Sequence, residues 1–109
     1  MATIKSHTDL NQSRELAKIL PIESADMYYE WPNKKVHFKD DGYSGMCFSC
    51  WSLSVLLTVL PEIQGGKPII ALDDNYITYP HMSDLHTKAD NLVDACAAMI
   101  EKLYKLNLL

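Results

Sequence analysis

Cys50-Trp51-Ser52-Leu53-Ser54-Val55-Leu56-Leu57-Thr58-Val59-Leu60-Pro61 is the most apolar stretch of this 109-residue chain. Its reading decides the fold. Leu53, Val55, Leu56, Leu57, Val59 and Leu60 leave little polar circumference, so the spacing predicts a helix beginning near Ser49 or Cys50. A helix that is apolar all round belongs in the middle of a domain. Pro61 stops it, because proline lacks an N–H and restricts the residue before it. Trp51 to Leu60 would span roughly 15 Å as a helix, about half the hydrocarbon thickness of a bilayer, so the expected setting is a protein core and not a membrane.

On the C-terminal side, Gly65-Gly66 supplies flexible backbone for a turn. Pro68-Ile69-Ile70-Ala71-Leu72 then forms a continuous apolar run, which predicts a strand covered on both faces or nearly so. Asp73-Asp74-Asn75 turns the chain, and Tyr76-Ile77-Thr78-Tyr79 returns as the partner strand before Pro80. On the N-terminal side, Met27-Tyr28-Tyr29-Glu30-Trp31 suits a strand, Pro32-Asn33 a turn, and Lys35-Val36-His37-Phe38-Lys39 alternates with period two. In that second strand Val36 and Phe38 are expected to face the core, and Lys35, His37 and Lys39 to face water. Asp40-Asp41-Gly42 ends it.

Helices close the chain at both ends. Thr8 is a capping hydroxyl with Asp9 in the first turn, Leu10, Leu16, Ala17 and Leu20 form a stripe, and Pro21 stops the run, giving a helix from about Asp9 to Leu20. Asn91 caps the last helix, in which Leu92, Cys96, Met99, Ile100 and Leu103 repeat at steps of three and four. Pro80 to Asp90 reads as a polar loop. Leu106, Leu108 and Leu109 form an apolar tail suited to docking on the domain or on a second copy. The expected architecture is a single α+β domain over residues 1–109, in the order α-β-β-α-β-β-α, with two antiparallel hairpins packed with three helices. Leu16 to Pro21 echoes Leu56 to Pro61, which raises an internal duplication, although any proline-stopped helix would look similar.

Composition excludes several functions. With 48% hydrophobic and 22% charged residues the chain has enough apolar material for one core and resembles no disordered tail. A net charge of -4 disfavours nucleic acid as a partner, since phosphates are bound by concentrated Lys and Arg, and only Lys34, Lys35 and Lys39 cluster. Met1 to Gln12 lacks the apolar segment of an export signal, so the expected location is the cytoplasm. Three cysteines, an odd number, read as reduced thiols instead of a disulfide framework.

The sharpest local signal is Cys47-Phe48-Ser49-Cys50. A thiol at a helix N-terminus has its thiolate favoured by the dipole, and a second thiol could resolve it, as in a dithiol redox site. The same pair with His81 and His86 meets the ligand chemistry of tetrahedral zinc, although the spacing is loose. Gly42-Tyr43-Ser44-Gly45 is not the elbow of a serine nucleophile, and Gly65-Gly66-Lys67, followed by Pro68, is not a phosphate loop. Asp40, Asp41, Asp73 and Asp74 sit where turns need them. No cofactor follows from these residues.

Nine of the ten Phe, Trp and Tyr residues lie between Tyr28 and Tyr79. Strand propensity explains much of that, and a remainder left exposed would suit protein recognition or self-association.

Ile19 to Met27, Cys50-Trp51-Ser52-Leu53, and Asn91 to Cys96 running into Met99 to Leu103 form three phrases. Together they resemble an uncharacterised family of short proteins from Bacteroides-type gut bacteria and their prophages or mobile elements. The resemblance implies a bacterial or phage setting and no catalytic or ligand residue. The leading functional expectation is a non-enzymatic protein-interaction or accessory domain. The alternative is a small thiol- or zinc-dependent enzyme or metal-binding protein using Cys47 and Cys50.

Overall fold

A computed structural model of the chain describes residues 6–30, 35–38, 47–80 and 82–109. Among the described residues three helices and two hairpins follow in the expected order, and each hairpin gains a third strand to form a three-stranded antiparallel sheet. Trp31, the Pro32-Asn33 turn, Lys34, Lys39, the Asp40-Asp41-Gly42 turn, the Gly42 to Gly45 segment and His81 lie outside the described residues.

Helix α1 spans Leu10–Ala17. Its cap is Asp9 and not Thr8: an Asp9 carboxylate oxygen accepts from the Gln12 N–H at 2.8 Å, and the Gln12 amide oxygen accepts from the Asp9 N–H at 3.1 Å. This reciprocal capping satisfies two otherwise orphaned donors. Thr8 is spent elsewhere, buried against Ser13 with its Oγ1 accepting from the Trp51 N–H at 3.1 Å. The helix ends three residues before the expected Leu20, at the beginning of the turn that leads into Pro21.

The first sheet has the order β2-β1-β3, with β1 at Met27–Glu30, β2 at Val36–Phe38 and β3 at Cys47–Cys50. Here two expectations are overturned. Cys47 to Cys50 does not begin a helix; it pairs with β1, Met27 opposite Cys50 and Glu30 opposite Cys47. Nor does Phe38 face the core, since it is 58% exposed. β2 is a three-residue edge strand, and the buried side of β1 is completed by β3 instead. The alternation of β2 is therefore lost: Lys35 is exposed as expected, but Val36 and His37 are both half-buried, and His37 lies against Tyr28, ring centroids 5.3 Å apart, with its Nε2 2.9 Å from a Glu30 carboxylate oxygen.

Helix α2 spans Leu53–Val59. Its start is set by Ser52, which caps the Val55 N–H at 3.3 Å and is itself gripped by Asp26, whose two oxygens accept from the Ser52 N–H at 2.9 Å and Oγ–H at 2.6 Å. Residues 6–8 run beside the bend, with the Thr8 N–H donating to the Trp51 carbonyl and the Leu53 N–H to the Ser6 carbonyl, both at 2.9 Å. The expectation that α2 is buried all round fails: only Leu56 is fully enclosed, while Leu53, Val55, Leu57 and Val59 pack at its margin.

Ile63 and Gly66 then exchange N–H to carbonyl bonds at 2.9 Å across a two-residue turn in which Gln64 has φ 53° and Gly65 φ 77°. Positive φ at both central positions is what such tight turns require, and Gly65 adopts it without a side-chain penalty.

The second sheet has the order β4-β5-β6, with β4 at Ile69–Ala71, β5 at Tyr76–Tyr79 and β6 at Met82–Lys88. The apolar run at Pro68 to Leu72 is an edge and not a doubly covered strand: Ile69 is 54% exposed and Leu72 69%. The expected loop from Pro80 to Asp90 is mostly β6, because Leu85 enters the core and the backbone pairs with β5. The halves are not copies of each other, since the central strand is the first of three in one sheet and the second of three in the other.

Helix α3, Leu92–Lys105, occupies the centre that the sequence assigns to α2. Val93, Ala95, Cys96, Met99, Ile100 and Leu103 are buried along it, and one apolar cluster joins them to Leu16, Leu56, Ile77 and Leu85. The Asn91 cap accepts from the Asp94 N–H at 2.8 Å, and Asp94 accepts from the Gln12 side chain at 2.6 Å, which ties α1 to the start of α3. Leu108 packs on the core, whereas Leu106 and Leu109 remain exposed. No helix among the described residues is long and apolar enough to cross a membrane.

Candidate functional site

The strand geometry of β3 decides what its cysteines can do together. Successive side chains on a strand alternate in face and rise by about 3.3 Å, so Cys47 and Cys50 point to opposite faces about 10 Å apart along the chain. Disulfide partners need Cα atoms within about 7 Å. Cys47 is exposed, while Cys50 is fully buried, as is Cys96 on α3. The structure therefore does not bring the two thiols of the Cys47/Cys50 pair onto one surface.

Burial also suppresses the inner thiols. It pushes the Cys50 thiol from an ordinary 9.0 up to about 12, with the Asp26 carboxylate adding to the effect, and burial alone does the same for Cys96. Both stay protonated and unreactive in the folded chain. We expect one thiol per chain, Cys47, to react with a thiol reagent at pH 8 in the native state and three to react in denaturant. A native titre unchanged by Cys47→Ser would contradict this. Tyr29 and Tyr79 are likewise raised from 10.0 to about 12 by burial. All four groups hold their proton more tightly folded than unfolded, so their contribution to stability is complete below pH 9 and is lost as pH rises towards 12.

His86 lies on β6 in the second sheet, exposed and 6.0 Å from the Tyr76 ring, while Cys47 and Cys50 lie in the first. Among the described residues, no three His, Cys, Asp or Glu side chains gather closely enough to hold a metal ion. Asp73 and Asp74 are exposed in a short 3-10 turn, Leu72–Asp74. Asp26 is committed to Ser52 at the edge of a depression of about 450 Å³ that also includes Met27 and Phe38.

What the structure does assemble is a groove of about 590 Å³ between α1 and β3. Ala17, Ile22 and Phe48 contribute apolar surface, Arg14, Glu15 and Lys18 charged groups, and Cys47 and Ser49 complete the strand side. The Arg14 guanidinium lies 5.8 Å from the Phe48 ring centroid, within the range of a cation–π interaction. Lys18 Nζ meets a Glu15 carboxylate oxygen at 3.3 Å. Ile22 is 55% exposed in the 3-10 turn, Ile22–Ser24, that follows Pro21. A helical reading of Cys47 to Cys50 conceals this groove. The alternation along Cys47, Phe48, Ser49 and Cys50 was the signal that could have revealed it.

No known protein family, curated protein or solved structure matches the chain.

Proposed function

We propose that the chain is a non-enzymatic protein-interaction or accessory domain and that the α1/β3 groove receives an apolar segment of its partner. The observation that carries this reading is the groove's composition: an apolar strip formed by Ala17, Ile22 and Phe48, flanked by Arg14, Glu15 and Lys18. Protein interfaces share that anatomy, an apolar, desolvated centre with aromatic and Arg anchors inside a polar rim. The proposal includes the bacterial or mobile-element setting implied by the sequence resemblance, and action in the cytoplasm. Catalysis by Cys47 and Cys50, with or without zinc, has less support, because only Cys47 reaches the groove.

Ala17→Glu tests the reading. Ala17 is exposed at the end of α1, so the substitution leaves the core intact while placing a carboxylate in the apolar strip. Affinity capture with immobilised wild-type protein should retain a defined protein that the variant retains at least about tenfold less, equivalent to about 1.4 kcal/mol. Equal capture by both chains, with both folded by circular dichroism, would rule the groove out.

A further inference from the structure

The two edges of the second sheet differ. Beyond β6 the Lys102 ammonium donates to the Asp84 carbonyl at 2.9 Å and α3 packs alongside, whereas among the described residues β4 pairs only with β5. The phase of the ladder shows which groups β4 presents outward. The Ala89 N–H donates to the Asn75 carbonyl, and the Asp84 carbonyl points away from β5 to Lys102, so Asn75 and Ile77 turn their backbone groups to β6. Tyr76 and Thr78 then face β4, where their partners are Ala71 and Ile69. By alternation, Ile70 directs its N–H and C=O to the open edge.

The sequence around Ile70 is complementary to itself when reversed. Lys67-Pro68-Ile69-Ile70-Ala71-Leu72-Asp73 has a cation three residues before the centre and an anion three residues after it, with apolar residues between. We propose that a second copy of this chain pairs with β4, antiparallel and centred on Ile70, through a two-fold interface. Each Ile70 N–H donates to the Ile70 carbonyl of the other copy. Ile69 meets Ala71, and beyond the three-residue strand Lys67 of one copy comes within reach of Asp73 and Asp74 in the 3-10 turn, Leu72–Asp74, of the other. The pairing covers Ile69 and Leu72, joins two three-stranded sheets into one, and ends where Pro68 has no N–H to extend the ladder. A two-fold interface requires one patch to complement itself, which the opposed charges provide, and like charges directly opposite would oppose pairing. The interface uses none of the groove residues and does not depend on the function proposed above.

Charge reversal at these exposed positions tests the proposal without touching the core. Light scattering across a concentration series should give twice the monomer mass for the wild type. Lys67→Asp alone and Asp73→Lys alone should each weaken dimerisation at least about tenfold. An equimolar mixture of the two single variants, and the chain carrying both reversals, should regain the dimer, because opposite charges then face each other again. A wild type that stays monomeric throughout, or a dimer indifferent to both single reversals, would overturn it.

Discussion

Trp51→Ala lowers the unfolding free energy by about 3–5 kcal/mol, the largest loss expected from any single side chain here. Trp51 is fully buried, and its environment is polar as well as apolar. Its indole N–H donates to Ser24 Oγ at 2.9 Å, and its backbone N–H and carbonyl are both engaged by Thr8. Truncation opens a cavity where the strand β3 gives way to α2, and it strips Ser24 of a partner. Domains of this size have about 5–15 kcal/mol in total, so the variant stands near the limit of folding. Urea denaturation followed by far-UV circular dichroism measures the loss without relying on tryptophan fluorescence. Trp51→Phe should lose less, since it keeps most of the apolar volume. A loss below about 1 kcal/mol for the alanine variant would mean that the junction is not the anchor described here.

Leu56→Ala costs about 2–5 kcal/mol, in line with Met99→Ala and Leu103→Ala on α3, whereas Leu53→Ala and Leu57→Ala cost roughly half as much or less. The contrast follows from burial: Leu56 is fully enclosed, and its neighbours along α2 are only partly covered. Urea titrations of the five variants beside the wild type decide it. Equal losses at positions 53, 56 and 57 would mean that α2 is enclosed on all sides and that the assignment of the centre to α3 is wrong.

Much of the fold is legible in local chemistry. Asn91 begins α3 and its three-and-four spacing marks the buried face correctly, because capping and amphipathic periodicity act within a few residues of each other. Pro61 holds Leu60 in extended backbone and so stops α2, and Asp73-Asp74-Asn75 turns the chain between β4 and β5, with Asn75 in the left-handed region at φ 51°. At Thr8 the local signal misleads, since two polar residues in succession both suit a cap and only packing against Trp51 draws Thr8 inward.

The candidate groove was less legible than the fold, because it joins residues of α1 to residues of β3 and no spacing within either segment records the other. The thiol motif failed for a related reason. Cys47 and Cys50 are three apart, which places them close together on a helix and on opposite faces of a strand, and β1 imposes the strand.

What the sequence determines by itself is thus the start of α3 at Asn91, the stop of α2 before Pro61, the two hairpins and the α+β class, all set by interactions between near neighbours. Tertiary structure alone decided that Cys47 to Cys50 and Met82 to Lys88 are third strands, that the apolar run at Ile69 lies at an edge, and that α3 takes the centre in place of α2. An apolar run states how much surface seeks cover. Which partner arrives to cover it is settled by segments distant in the chain, and the open edge at Ile70 is where, within one copy, none among the described residues does.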